Sequence, residues 1–183
     1  FDLDRPEKIV RTARGVVKAK SVVFTCGGYI DGLHPRLSRA IRPLATWIMV
    51  TEPLGDRLKD AIRAPHTVSD SRYDFDYWRP LPDSRILWGG GFTILRNDPA
   101  TLSQIMMKKL LTVFPQLKGV RAETAWSGLM GYPRHRMPQF GEVAPGVWYG
   151  MGFGGNGMGT TTMAGELLAT AIAEGDDRYR LFQ

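Results

Sequence analysis

At 183 residues, 43% of them hydrophobic and 23% charged, the chain can bury one good core or two small ones. Its formal charge of +6 is scattered, without the stripe of aromatic and basic residues that indicates nucleic-acid binding. The single cysteine, Cys26, excludes an intrachain disulfide and favours a reducing, cytoplasmic compartment, and no apolar run is long enough to span a membrane. Because the chain begins at Phe1 in a strand-like segment, we expect a fragment, a processed chain or an incomplete version of a longer protein.

The first part of the chain predicts strands. Residues 9–11 and 16–18, with Ala13-Arg14-Gly15 between them, are typical of a hairpin. The continuous apolar run 21–26 predicts a strand buried on both faces, as in a parallel sheet. Gly27-Gly28-Tyr29 then bends the backbone at the carboxyl end of that strand, which is where ligands of open α/β sheets collect, although a plain turn explains it equally well.

The middle of the chain alternates strands with short helices. The predicted elements are a basic connector at 33–43, a strand at 44–51, a helix at 56–63, strands at 73–79 and 85–89, the second ended by Gly89-Gly90-Gly91, a helix from Thr101 to before Pro115, and a strand at 121–127. Thr101 and Gln104 have capping-box spacing. Residues 128–141, with two prolines, predict irregular chain. Asp74 and Asp76 alternate in a strand, and a solvated face explains them as well as a site does.

The most informative stretch is 146–173, where a short strand at 147–149 leads through a glycine-rich turn into a helix. Met163, Leu167 and Ala171, with their apolar neighbours, predict the buried side of that helix. A glycine-rich turn that opens a helix brings backbone N–H groups and the positive end of the helix dipole to one place. The pattern predicts a flat or anionic ligand on residues 154–159; a turn that only packs the helix is the alternative.

Other familiar sites are excluded or weakly indicated. Gly152-x-Gly154-x-x-Gly157 matches the dinucleotide fingerprint, but that motif needs a second parallel strand after the helix, and a polar run follows here. No Lys-Ser/Thr pair follows the glycines, which excludes a nucleotide-hydrolase phosphate loop. No histidine lies at metal-ligand spacing, so we expect no metal site. His135, just after the strand that carries Trp126, is the histidine nearest to plausible chemistry.

Three segments together resemble one family, the FAD-dependent oxidoreductases related to D-amino-acid oxidase, glycine oxidase and sarcosine oxidase. Residues 21–29 resemble its strand-and-glycine segment, 126–141 its strand and loop over the flavin, and 146–172 its C-terminal strand, glycine turn and helix. The chain is most similar to the amine-oxidising branch represented by gamma-glutamylputrescine oxidase. The resemblance covers nearly the whole chain but only the C-terminal half of a full-length member, without the half that carries the GxGxxG motif.

The resemblance implies an α/β to α+β fold. Residues 1–42 and 126–183 would form part of a Rossmann-like FAD-binding domain, and 43–125 a substrate-binding domain with a mostly antiparallel sheet and helices. The implied function is oxidation of the C–N bond of a small amine or amino acid by hydride transfer to FAD, with this chain alone inactive. The partner would be the missing N-terminal half. Two alternatives are a flavin-sharing subunit of a heteromeric amine oxidase or dehydrogenase, and a non-catalytic module on a decayed flavin fold.

The resemblance also implies site residues. The cofactor contacts would be Cys26, Gly27, Gly28, Gly128, Gly154, Gly155, Asn156, Gly157, Met158, Gly159 and Thr160. Backbone N–H groups of 156–160 and the helix dipole would stabilise negative charge on the reduced flavin. Met130, Tyr77 and Arg79 are the candidate substrate contacts. No catalytic residue is assigned, and the candidates are His135, Tyr77 and Asn156.

Two departures from the family pattern concern the substrate. Met130 stands where glycine-oxidase-like members carry an arginine, and Gly159 where sarcosine-oxidase-like members carry a lysine. Both of those basic residues clamp the substrate carboxylate. Their absence predicts an amine without an α-carboxylate as the preferred substrate. The loop at Gly128 also lacks the cysteine through which some members bind FAD covalently.

Overall fold

The computed structural model describes residues 1–94 and 99–182, and the chain divides into two compact units. One unit comprises Phe1–Pro43 and Met130–Gln183, and the other comprises Leu44–Leu129. Helices and both parallel and antiparallel strand pairs are present, so the mixed α/β to α+β class is confirmed.

The elements follow one another in a mixed order of strands and helices. They are β1 (Lys8–Thr12), β2 (Gly15–Ala19), β3 (Val22–Phe24), α1 (Pro35–Ala40), β4 (Ile41–Thr51), α2 (Arg57–Ala61), β5 (Val68–Ser69), β6 (Asp76–Pro80), β7 (Ile86–Thr93), α3 (Pro99–Val113), β8 (Ala122–Pro133), β9 (Gln139–Ala144), β10 (Val147–Met151) and α4 (Gly157–Glu174). Short 3₁₀ helices lie at Gly27–Tyr29, Pro115–Leu117 and Arg178–Phe182.

The first unit contains the β1–β2 hairpin, as predicted, and a three-stranded sheet in the order β3-β10-β9. β10 pairs parallel with β3 and antiparallel with β9, so the predicted parallel strand at 21–26 is confirmed in a shorter form. The expectation that it is buried on both faces is wrong, because Val23 is 42% exposed while Phe24 is buried. Among the described residues β3 is an edge strand, and only its Phe24 side packs into an apolar cluster.

Two apolar clusters cover the two faces of this sheet, because neighbouring residues of a strand point to opposite faces. Val147 belongs to one cluster and Trp148 to the other. The α4 helix contributes Ala164, Leu168 and Ala171 to the second cluster. The predicted buried side of α4 is therefore right for Ala171 and wrong for Met163, which is 39% exposed.

Two stretches of the first unit are more regular than the sequence predicted. The basic connector at 33–43 contains α1, whose start is fixed by Pro35 and by His34, whose Nδ1 accepts a hydrogen bond from the Leu37 N–H at 3.4 Å. The irregular chain expected after residue 128 is mostly strand. Pro133 ends β8 and Pro138 immediately precedes β9, so both prolines lie where a strand tolerates them.

The second unit is built on a five-stranded sheet in the order β5-β6-β7-β4-β8, in which β5–β6, β6–β7 and β7–β4 pair antiparallel. Its core contains Trp78 stacked on Trp88, with ring centroids 4.6 Å apart, and the edge of Phe114 meets both rings. The α3 helix already includes Pro99, so the capping box expected at Thr101 is wrong.

Candidate functional site

The glycine turn lies between β10 and α4, as predicted. Gly152 and Gly154 have φ angles of 77° and 54°, a backbone conformation that side chains disfavour. The Gly154 N–H donates to the Gly131 carbonyl of β8 at 3.3 Å, and the Asn156 N–H donates to the Phe153 carbonyl at 3.2 Å. These two bonds fix the path of the turn. Within the described residues α4 then leads into the 3₁₀ helix Arg178–Phe182 and not into a parallel strand.

Gly131 brings the two predicted cofactor segments together. A Cβ on Gly131 would lie 3.0 Å from the carbonyl carbon of Gly27 and from the nitrogen of Gly28, while its own carbonyl holds Gly154. The absence of a side chain at Gly131 therefore lets the backbones of 26–28 and 152–154 approach the same point of β8. Cys26 is half-buried there, and its carbonyl accepts from the Tyr29 N–H at 2.9 Å.

The glycines of the turn fall into two groups. Cβ atoms on Gly152 and Gly154 would crowd Pro133 at 3.0 Å and the Tyr132 ring at 2.8 Å, so these two serve the packing of the chain itself. A Cβ on Gly157 would have its nearest neighbour at 3.8 Å, and one on Gly159 would have none within 4 Å. The side chain of Met158 between them is 94% exposed. The space over 155–159 is therefore not filled by the described chain.

Free hydrogen-bond donors line this open part. The N–H groups of Gly157, Met158 and Gly159 lie in the first turn of α4 and so have no intrahelical acceptor. They have no other acceptor in the described part of the chain, and the Asn156 side chain does not cap the helix. The Thr160 hydroxyl donates back to the Asn156 carbonyl at 2.7 Å, so its proton is already engaged. Three backbone donors at a positive helix end fit a flat or anionic acceptor.

His135 is held inside its own loop. Its Nδ1 accepts from the Met137 N–H at 3.1 Å, which places the proton of the neutral ring on Nε2. Nε2 lies 2.8 Å from Nε2 of the Gln139 side chain, and turning that amide over lets its oxygen accept the ring proton. In the neutral ring both nitrogens are thus engaged.

A cavity of about 840 Å³ lies beside this loop, within the first unit. His135, Arg36 of α1, Tyr149 of β10 and Thr160 of α4 are among the residues that line it. Burial raises the pKa of the Tyr149 phenol, and the nearby Arg36 guanidinium partly opposes that rise. The cavity is mixed in character, because methionine and phenylalanine side chains complete its wall.

The substrate-side candidates lie on two strands. Tyr77 and Arg79 belong to β6, Arg79 is exposed, and burial raises the pKa of the half-buried Tyr77 phenol. The third substrate candidate, Met130, is half-buried in β8, as is the cofactor candidate Gly128.

Sequence reasoning missed the environment of Asp76. Its carboxylate is fully buried and pairs with Lys109 Nζ of α3 at 2.9 Å and with Arg72 Nη2 at 2.5 Å, so of the two explanations that the sequence left open, the solvated face is wrong for this residue. Gly89-Gly90-Gly91 lies inside β7 and does not end it. No spacing rule connects Asp76 to Lys109, since they are 33 positions apart and meet only through the fold.

Residues 1–94 and 99–182 contain no group of three or more His, Cys, Asp or Glu side chains able to hold a metal ion. None of the helices described in these ranges combines the length and apolar character needed to cross a membrane.

Comparison with known proteins identifies the class to which the chain belongs. The family described as DAO, FAD dependent oxidoreductase, matches residues 2–171, and the chain is a member of this FAD-dependent family. It is 36% identical over 176 residues to gamma-glutamylputrescine oxidoreductase of Escherichia coli (strain K12), and 32% identical over 179 residues to the probable oxidoreductase OrdL of Haemophilus influenzae. Each alignment covers 95% of this chain and 41% of the relative, so the chain spans about two fifths of these relatives.

Solved structures agree on the fold. Glycine oxidase from Geobacillus kaustophilus superposes with a TM-score of 0.75 at 19% identity, over 96% of this chain and 47% of that one. L-proline dehydrogenase from P. horikoshii superposes with a TM-score of 0.74 at 19% identity, over 98% of this chain and 50% of that one. The family match confirms the resemblance described from the sequence and the FAD dependence of that family, and the superpositions confirm the fold class.

Proposed function

We propose that this chain supplies the pyrimidine-side half of an FAD site in an oxidoreductase that oxidises the C–N bond of an amine. When bound, FAD would supply the chemistry of that oxidation by accepting a hydride from the carbon next to nitrogen. The observation that carries the proposal is the open glycine turn, where three backbone N–H groups at a helix start have no acceptor in the described chain.

Each part of the turn has a role in this proposal. The N–H groups of Gly157, Met158 and Gly159 donate to carbonyl or anionic acceptors at the pyrimidine edge, and the dipole of α4 adds positive potential there. Gly155 and Gly159 let the backbone reach a flat ring without an intervening Cβ. Residues 26–28 join the same site through Gly131. Asn156, Thr160 and Gly128 complete the proposed set of cofactor contacts.

We assign residues 1–42 and 126–183 to flavin binding and residues 43–125 to the substrate, bounds that lie close to those of the two compact units. Tyr77, Arg79 and Met130 are the proposed substrate contacts. Since neither carboxylate clamp of the family is present at Met130 or Gly159, the preferred substrate is an amine without an α-carboxylate. Burying an unpaired carboxylate costs roughly several kcal/mol, enough to disfavour small amino acids. The 36% identity to gamma-glutamylputrescine oxidoreductase supports the same choice.

The chain holds only part of the proposed site. A glycine-rich βαβ unit would hold the FAD pyrophosphate, either in the rest of a longer polypeptide or in a partner subunit that shares the flavin. Alone, the 183 residues would bind FAD weakly and would not turn over, because a few backbone contacts must offset several kcal/mol of lost translational and rotational freedom. Titration of the purified chain with FAD, followed by flavin fluorescence, tests this point. Tight one-to-one binding by a monomer would contradict it. The cytoplasmic location stays a prediction.

The complete protein, mixed with amines in the absence of oxygen, tests the function itself. A polyamine conjugate should bleach the visible flavin absorbance faster than glycine or sarcosine does. A preference for glycine or sarcosine would leave the oxidoreductase assignment intact and overturn the substrate class. A protein that neither retains flavin nor responds to any amine would favour the non-catalytic module.

A further inference from the structure

Side chains of the same chain pack directly against the glycine run of β7, Gly89-Gly90-Gly91. A Cβ on Gly89 would overlap the Tyr77 ring, and one on Gly91 would lie 3.0 Å from the Trp47 ring. A Cβ on Gly90 would overlap the Asp76 carboxylate and would lie 2.8 Å from its Cα. Three neighbours on β4 and β6 therefore account for the three glycines. No room is left there for a ligand against the β7 backbone.

Asp76 and Tyr77 are consecutive in β6 and so point to opposite faces of the sheet. Asp76 faces α3, because its Oδ1 pairs with Lys109 Nζ at 2.9 Å. Tyr77 lies on the other face, across Gly89, with which its backbone is paired. The position of the phenol is therefore determined by how β6 lies against Gly89 and Gly90.

A contribution to stability does not readily account for the Asp76–Lys109 ion pair. The Asp76 side chain is 0% exposed and that of Lys109 is 28% exposed, and removing a carboxylate from water costs about as much as its attraction to a partner returns. Arg72 makes a second contact to Asp76 from the loop before β6, but its own side chain is mostly exposed. Lys109 is the partner from a packed helix, so it is the contact that ties this end of β6 to the core. An ion pair that adds little stability but ties β6 to α3 is well suited to fixing the position of β6.

We propose that the Asp76–Lys109 ion pair is a positioning device for Tyr77, holding β6 so that the phenol lies across Gly89 with its hydroxyl at a fixed place on the face of the sheet opposite α3. There the hydroxyl exchanges a hydrogen bond with a polar group of the amine substrate. This inference rests on the proposed function, in which Tyr77 contacts the substrate. Asp76 and Lys109 act only through Tyr77.

The ring of Tyr77 gives a direct readout that needs no activity. In protein carrying ¹³C-labelled tyrosine, with the Tyr77 signal assigned by Tyr77→Phe, Asp76→Asn and Lys109→Met should each shift that signal and increase ring motion. The pKa of the phenol should fall toward its ordinary value, because a freed ring is less buried. Lys109→Arg should restore the signal. Glu123→Gln, which removes a carboxylate from an exposed pair with Arg85 in the same unit, is the matched control and should change nothing. An unchanged Tyr77 signal in Lys109→Met would overturn the proposal.

Kinetics of the complete protein separate a positioning role from a structural one. Tyr77→Phe should raise KM for the amine roughly three- to tenfold, the effect of losing one hydrogen bond. Lys109→Met should raise KM in the same direction, and the double variant should be no worse than Tyr77→Phe, because both changes remove one interaction. Additive effects, or a KM that does not change in Lys109→Met, would contradict the proposal. If no amine is oxidised, the proposed function fails, and the ring measurement still decides the positioning claim.

Discussion

The chain contains two glycine-rich stretches that look alike in the sequence and differ in the structure. In β7, Gly89-Gly90-Gly91 is covered by Tyr77, Asp76 and Trp47. Where the glycine turn enters α4, a Cβ added at 155, 157 or 159 would meet no side chain and no distant backbone atom within 3.5 Å. The first stretch lets the protein pack against itself, and the second leaves backbone donors exposed. Composition alone does not distinguish these uses; the distances around each glycine do.

The largest effect should come from filling the covered stretch. Gly90→Ala places a methyl group against the Asp76 carboxylate, at a residue whose φ of 148° disfavours a side chain. Overpacking and backbone strain together should destabilise the protein by about 3 kcal/mol. Urea unfolding measures the change. Gly165→Ala, in α4 with nothing within 4 Å of its Cβ, is the control and should stabilise by up to about 1 kcal/mol. Equal stability of Gly90→Ala and the wild type would show that Asp76 is not tightly packed against Gly90.

Within the glycine turn, a crowded glycine and an open one should also differ in their response to alanine, with a smaller loss of stability than at Gly90. Gly154→Ala crowds the Tyr132 ring at a φ of 54° and should cost about 1–2 kcal/mol. Its neighbour Gly155, where the nearest atom is the Tyr132 hydroxyl at 3.6 Å, should tolerate alanine within about 0.5 kcal/mol. Thermal unfolding of the two variants side by side provides the measurement. A larger loss of stability in Gly155→Ala than in Gly154→Ala would show that Tyr132 does not pack against Gly154.

The smallest effect is on the pH dependence of stability. In the second unit Asp76 is buried, whereas Glu52 is more accessible. Hydrogen bonds from the Arg121 backbone N–H and guanidinium lower the pKa of Glu52. A carboxyl whose pKa is lowered in the folded state contributes stability above its unfolded pKa and loses it as pH falls through the folded pKa. The melting temperature should therefore decline slightly more steeply in the wild type than in Glu52→Gln as pH falls from about 5 to 3. Identical slopes would show that the pair contributes nothing.

The sequence predicted most of the elements because local patterns produce them. The hairpin of β1 and β2 follows from Ala13-Arg14-Gly15 between short apolar strands, and α4 follows from apolar spacing after a glycine turn. Prolines were misjudged. Pro35 opens α1 and Pro138 precedes β9, although the sequence pattern predicts a connector around the first and irregular chain around the second. A proline marks the end of a helix or strand, and the local sequence does not show on which side of the proline that element lies.

Features that depend on the fold could not be predicted from spacing. Asp76 and Lys109 are brought together by the packing of α3 against the sheet, so no local rule connects them. The exposed Val23 likewise depends on which elements cover β3. For the candidate site, the sequence predicted where the turn lies and which glycines it contains. It did not predict that Gly131 would join the turn to 27–28, because that contact requires the course of β8.

The central claim is that the open glycines face a flavin, and one substitution tests it most directly. Gly157→Val adds a branched side chain where the nearest protein atom to a Cβ is 3.8 Å away, so the chain itself has room for its first carbon. FAD binding by the complete protein, measured by titration with Gly165→Ala as the control, should weaken at least about tenfold, a loss of about 1.4 kcal/mol. Its melting temperature without FAD should be close to that of the wild type. Wild-type FAD affinity in Gly157→Val would contradict the assignment of the turn to the flavin.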